Sequence, residues 1–274
     1  MSDSEDFIRL PHSDSGPMGT WTPVGKLGST KAILAPETRT ELEKVEEEFA
    51  HRQQLAQFGL THKQKLLFYG PPGNGKSFSA RRLARNLGLP LWLVPNAQMV
   101  SRWVGSSSEH IFAVFRFARE NPCVLLIDEF DSITSKRRDV EQAADQEMNH
   151  TTNTMLQMME QGGLAGVVVF TTNFHKQLDF ALFRRFDALV KFDMPTPPMR
   201  GQIMEMTLSK MLPVSFRMEP LALASEGLSA ALLVEACKNA MKTAVMAGAN
   251  VVNTGAVLRE IQLMVSNQRE LLGY

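Results

Sequence analysis

An α/β fold is predicted here, with a parallel five-stranded sheet, helices on its faces and a small all-helical domain behind it. Three features of the sequence carry the prediction. Five short apolar runs fall between residues 65 and 192: KLLFY (65–69), LWLV (91–94), CVLLI (123–127), GVVVF (166–170) and ALVKF (188–192). Between most of them lie stretches with helical spacing, at 76–87, 107–119 and 144–161. Strands and helices alternating in this way build βαβ units and a parallel sheet covered on both faces. From Pro198 onward no strand-like run occurs, and Ser229–Ala247 and Thr254–Asn267 read as helices.

Taken in order, residues 1–35 are rich in Ser, Asp, Gly, Pro and Thr with little periodicity, which predicts a flexible or surface-draped extension. From Pro36 to Gln57, Leu42, Val45, Phe49 and Ala56 recur at helical spacing. Glu37, Glu41 and Glu43 stand near the start of that stretch, where the helix dipole favours negative charge. After the fifth run comes DMPTPPMR, a proline cluster that is expected neither to continue a strand nor to start a long helix early. The predicted organisation is therefore an extension over 1–35, an α/β domain over 36–195 and a helical domain over 196–274.

The 274 residues are 44% hydrophobic, ample for a buried core, and 29 basic residues balance 29 acidic ones. A neutral balance gives no support for a broad nucleic-acid or anionic-membrane surface. The two cysteines, Cys123 and Cys237, have no metal-ligand spacing and sit in apolar or helical contexts, as small buried hydrophobes do. The N-terminus, MSDSEDFIRL, is acidic where a signal peptide is basic, and no run approaches the roughly 18 apolar residues of a membrane span. A cytoplasmic protein without membrane contact is expected.

The first apolar run leads straight into GPPGNGKS, residues 70–77, which matches G-x-x-x-x-G-K-[ST] with a strand before it and a helix pattern after it. Gly70, Gly73 and Gly75 let the backbone curl so that its N–H groups face a phosphate chain at a helix N-terminus. Lys76 adds a point charge for the β- and γ-phosphates, and the Ser77 hydroxyl is a hard oxygen suited to Mg²⁺. The third run ends in LLIDEFD (125–131), which brings Asp128 and Glu129 to the C-terminal edge of a parallel sheet, where such sheets bind ligands. Asp128 is suited to hold Mg²⁺ through water, and Glu129 to polarise an attacking water. The fourth run ends at Asn173, whose amide either positions the same water or starts a turn. In DFALFRRFD (179–187), Arg184 and Arg185 are either surface solubilisers or guanidinium forks for a γ-phosphate.

GPPGNGKS, LLIDEFD, TTN and ALFRRFD, in this order and spacing, resemble the AAA family of ATPases within the AAA+ superfamily, over roughly residues 36–250. Stand-alone bacterial ATPases with a compact RRFD ending look most alike. The resemblance implies ATP and Mg²⁺ as cofactors, ATP hydrolysis, and a sheet of strand order 5-1-4-3-2. It implies a nucleotide site on Gly70, Pro71, Pro72, Gly73, Asn74, Gly75, Lys76, Ser77 and Phe78, with Ser77 and Asp128 at the metal. Glu129, Asn173, Arg184 and Arg185 are then the catalytic group, the arginines acting on a neighbouring subunit's nucleotide in a homo-oligomeric ring, usually a hexamer.

The chain departs from the family pattern at three places. It reads LFRRFD where many members read LLRPGRFD, so the arginine that meets phosphate is either Arg184 or Arg185. The GLSAALLVEA segment has Ala230 and Leu232 where Gly and Asp are usual, and it lacks a sensor arginine. Thr207 stands where an adenine-side histidine is common. Thirty-five residues before the motor are too few for a substrate-recruiting domain, so a separate adaptor or effector protein is expected.

In polypeptide-threading members an aromatic, a hydrophobic residue and a glycine lie between the second strand and the next helix. Trp103, Val104 and Gly105 hold that place, and an indole there grips varied substrate chains. Ile111, Phe112, Phe115 and Ala118 supply the following helix with its buried face, although Trp103 packing on a neighbour or the sheet edge is the alternative. KRRDVEQAADQE (136–147) is either a second pore-facing loop or a solvated charged segment. The function implied is a Mg-ATP-driven remodeller of protein substrates. The rival is a nucleotide-switched nucleic-acid factor of the initiator or loader type, against which neutral charge and the Trp-Val-Gly triplet weigh.

Overall fold

The structure, a computed structural model, describes residues 8–13, 16–28, 31–95, 106–130, 154–173, 180–213 and 216–272. Its elements run β1 (His12–Ser13), β2 (Gly16–Pro17), β3 (Thr20–Thr22), α1 (Pro36–Ala50), α2 (Arg52–Gln57), β4 (Lys65–Tyr69), α3 (Lys76–Leu87), β5 (Leu91–Pro95), α4 (Ser106–Glu120) and β6 (Val124–Asp128). Helical residues 154–160 precede β7 (Val167–Thr172), α5 (Phe180–Phe183) and β8 (Ala188–Lys191). The chain continues through α6 (Pro197–Leu208), α7 (Glu219–Ala224), α8 (Ala230–Met246) and α9 (Thr254–Leu272). Two compact units emerge: Met1–Thr30 with Thr40–Tyr69 and Ser77–Val190, and Lys31–Arg39 with Gly70–Lys76 and Lys191–Tyr274.

In the first unit a six-stranded sheet has the order β3-β5-β6-β7-β4-β8. The five apolar runs stand in the order that the family resemblance implies. Pairs β4/β7, β6/β7 and β5/β6 are parallel. Every residue of β7 is buried, as are the first four of β6. A strand covered on both faces has no reason to alternate, which is why these segments read as continuous apolar runs. The register aligns Tyr69 with Thr172 and Ile127 with Phe170, so β4, β6 and β7 end at one edge. Beneath that edge lies a core built on Trp92, Phe115, Leu125, Phe130, Val168 and Phe170. Cys123 belongs to it, and burial pushes its thiol up to about 12. Cys237 is displaced equally, to about 12, by burial in the second unit's core.

The sixth strand comes from the segment expected to be a flexible or surface-draped extension. Thr20–Thr22 pairs antiparallel with Leu91–Leu93. Met18 is fully buried, and its carbonyl accepts a 2.8 Å hydrogen bond from Trp92 Nε1. The apolar residues involved (Ile8, Leu10, Met18 and Trp21) are too scattered among polar ones to register as a strand. The pairing by Thr20–Thr22 covers the edge of β5, which would otherwise present unpaired N–H and C=O groups. Gly19 makes the close approach: its φ is +74°, and a Cβ there would fall 2.2 Å from the Leu93 carbonyl oxygen. Gly19→Ala is therefore expected to cost roughly 1–3 kcal/mol, read as a lowered denaturation midpoint with an unchanged m-value.

Two other elements differ from expectation. The helix predicted over 36–57 breaks at His51 into α1 and α2. The proline cluster does not delay the next helix; α6 begins at Pro197, after Thr196. Proline at the first helical positions lacks an N–H that would have been unpaired there anyway, so the ring favours the start. In the second unit, α6 to α9 enclose a core of Ile203, Met204, Leu208, Leu221, Leu233, Cys237, Val257 and Ile261. Ser229 caps α8, its Oγ accepting the Leu232 N–H at 3.4 Å.

Candidate active site

The second unit contains the loop Gly70–Lys76, in which Gly70, Gly73 and Gly75 all have positive φ. Gly73 shows why a side chain is excluded: beyond its φ of +76°, a Cβ would stand 2.7 Å from Ser229 Oγ. The start of α8 rests on this loop. Ala231 N–H donates to the Gly73 carbonyl at 2.9 Å, and Ala230 N–H to Asn74 Oδ1 at 3.2 Å. Asn74 also donates from Nδ2 towards Met194 Sδ at 3.2 Å, so its buried amide is spent on holding the loop. Lys76 is only 7% exposed, and its Nζ donates to the carbonyls of Gly70 (2.7 Å) and Pro71 (2.9 Å). These carbonyls meet part of the hydrogen-bonding need of a buried ammonium. Pro71 is half-buried, Pro72 is exposed, and the Phe78 side chain is 41% exposed.

The chain passes directly from Lys76 to Ser77, which belongs to the first unit. There the Ser77 hydroxyl lies 3.0 Å from both carboxylate oxygens of Asp128, the last residue of β6. These are hard oxygen donors from two elements meeting at the C-terminal edge of the sheet, a donor set that fits Mg²⁺. Glu129 follows in the left-handed region, with φ +58°, and is exposed. A non-glycine residue held in that region is strained, and such strain concentrates at functional sites. The turn carries the carboxylate out of the strand just as the register brings β6 and β7 to their common end. Asn173 is half-buried one residue beyond β7, at the same edge.

Arg184 and Arg185 lie elsewhere. They form a turn after α5 that is tied to the beginning of β4, not to its end. Asp187 is the tie: its Oδ2 accepts the N–H groups of Gln64 and Lys65, each at 2.9 Å, and its own N–H donates to the Lys65 carbonyl at 2.8 Å. Lys65 Nζ stands 3.2 Å from Asp187 Oδ1. Arg184 is exposed, and Arg185 is ion-paired with Glu160. Five residues of β4 span roughly 13–17 Å, so the arginine turn and the Asp128 edge occupy opposite ends of the sheet.

The sequence missed two residues of this arrangement. Thr171, two positions before Asn173, donates its hydroxyl proton to Asp128 Oδ1 and accepts the Glu129 N–H. Its only sequence signal is a hydroxyl at the end of an apolar run, next to a second threonine, Thr172. Asp187 was visible as the last letter of RRFD, but its partners are more than 120 positions away. Trp103, Val104 and Gly105 lie outside the described residues, as does the charged run 136–147.

An α/β unit with carboxylates at its strand ends, and a second unit that carries the glycine-rich loop and the C-terminal helices, are the class that fold and site define. Residues 66–194 match the ATPase family associated with various cellular activities (AAA). The chain is 35% identical over 199 residues to the "Uncharacterized AAA family ATPase y4kL" of Sinorhizobium fredii (strain NBRC 101917 / NGR234), covering 73% of this chain and 59% of that relative. It is 30% identical over 215 residues to the "26S proteasome regulatory subunit 6B homolog" of Dictyostelium discoideum, covering 76% of this chain and 51% of that relative. The chain belongs to the AAA family of ATPases, and it spans between half and two thirds of the length of these two relatives.

Proposed function

We propose that this chain is a Mg²⁺- and ATP-dependent motor of the cytoplasm that assembles into a homo-oligomeric ring, a hexamer, and unfolds, threads or disassembles protein substrates presented by a separate adaptor. The observation that carries the reading is the Ser77–Asp128 pair at the strand edge, followed by the outward turn at Glu129. When bound, Mg-ATP supplies the transferable phosphoryl group and the divalent charge that offsets it. Gly70 to Phe78 hold the nucleotide, with Lys76 as the charge for its phosphates, and Ser77 and Asp128 hold the metal. Glu129 takes the proton of the attacking water, and Asn173 orients that water. Arg184 and Arg185 serve a neighbouring subunit; their attachment to the far end of β4 supports action across an interface rather than on their own site.

A protein substrate is supported by the similarity to a proteasome regulatory subunit homolog and by the Trp103-Val104-Gly105 triplet. The test is ATP turnover with a permanently unfolded protein set against turnover with DNA. Unfolded protein is expected to stimulate the wild type and DNA is not; stimulation by DNA alone supports the initiator or loader reading instead. Trp103→Ala is expected to keep basal turnover and ring assembly while losing that stimulation, and Trp103→Phe to retain part of it. If Trp103 packs in a core or interface, the alanine variant instead loses about 3–5 kcal/mol and assembles poorly, which thermal melting and native mass measurement detect.

A further inference from the structure

We infer that Thr171 is a positioning residue for both acidic groups of the site, fixing Asp128 for the metal and Glu129 for the water. The inference rests on the reading of those two residues given above. Thr171 is 2% exposed in the fully buried strand β7, so its hydroxyl must find its partners inside the protein. A hydroxyl has one proton to give, and Thr171 gives it to Asp128 Oδ1. The same oxygen accepts the Glu129 N–H at 3.0 Å, and the Thr171 carbonyl accepts the Phe130 N–H at 2.8 Å. One residue thus holds three consecutive positions, the middle one being the non-glycine residue at φ +58°. Phe130 completes the anchor, fully buried with its ring 5.0 Å from that of Phe170.

These bonds have separate consequences. Ser77 and Thr171 both reach the Asp128 carboxylate, but Ser77 is itself a metal-ligand candidate. Were the Ser77 oxygen to hold a cation, the Thr171 bond would still restrain rotation of Asp128. The bond to the Glu129 N–H stabilises the left-handed turn from which the Glu129 side chain leaves the strand. Valine has nearly the shape of threonine and offers neither bond, while serine offers both.

The experiment compares Thr171→Val and Thr171→Ser with the wild-type full chain. Mn²⁺ binding in the presence of ADP is followed by electron paramagnetic resonance, and ATP turnover is titrated with Mg²⁺. Supports of metal ligands are commonly worth 10–100-fold, so Thr171→Val is expected to weaken Mn²⁺ binding by roughly that factor and to raise the Mg²⁺ midpoint equally. It is also expected to lower kcat at saturating Mg²⁺ with little change in KM for ATP. Thr171→Ser is expected to restore all three. Wild-type Mn²⁺ affinity and kcat in Thr171→Val overturn the inference, as does a serine variant as impaired as the valine one, because then the methyl group matters and the hydroxyl does not. If Thr171→Val fails to fold, Thr171→Ala against Thr171→Ser makes the same comparison. If the wild type hydrolyses no ATP, the reading of the site fails, and the Mn²⁺ measurement still judges Thr171.

Discussion

Glu129→Gln is expected to bind nucleotide as tightly as the wild type and to turn it over about 10²–10⁴-fold more slowly, the usual worth of a general base. Glutamine has the size and shape of glutamate. The Glu129 N–H reaches Thr171 Oγ1 whichever side chain it carries. The Ser77–Asp128 pair is likewise untouched, so the metal ligands keep their geometry. What is lost is a carboxylate able to take a proton from water, because an amide cannot do so at neutral pH. Calorimetry with ATP and a phosphate-release assay together check both halves. Normal turnover in Glu129→Gln removes this residue from the role of base. The same variant holds ATP, so it is expected to assemble more fully than the wild type, which native mass measurement reads.

How much of this was legible in the sequence depended on whether the signal was local. KLLFY, GPPGNGKS and LLIDEFD each carry their structure in consecutive letters, and β4 occupies 65–69 as read. The cap at Ser229 and the helix behind it were equally local. The edge strand Thr20–Thr22 was not, because its apolar residues are isolated and its conformation is set by pairing with Leu91–Leu93 some seventy positions away. Proline misled at Pro197 because a residue that ends strands and interrupts helices is also favourable at a helix start. In the site, the charged residues announced themselves and their supports did not. Thr171, Asp187 and Glu160 act through partners brought together by the sheet, and nothing in FTT, RRFD or MEQ states who those partners are.

Arg184→Ala is expected to reduce turnover by about 10³–10⁵, the usual worth of an arginine finger, without weakening nucleotide binding in the same subunit. The reason lies at the two ends of β4. The RRFD turn is tied by Asp187 to Lys65 at the start of the strand, while the phosphate loop leaves from Tyr69 at its end. A guanidinium at one end of the sheet cannot serve an edge roughly 13–17 Å away in the same subunit. It can serve the next subunit of a ring, where a heterologous contact sets one molecule's arginine turn against another's phosphate loop. Arg185 is ion-paired with Glu160, so Arg185→Ala is expected to combine lost turnover with a loosened turn. Mixing Arg184→Ala with Lys76→Ala tests the geometry directly. Neither protein is active by itself, the first lacking a finger and the second the phosphate-binding charge. In a mixed ring some interfaces pair an intact loop from the first with an intact Arg184 from the second, so partial turnover returns. Mixed rings with confirmed co-assembly that stay inactive overturn action in trans, because every other component of the site is then present at those interfaces.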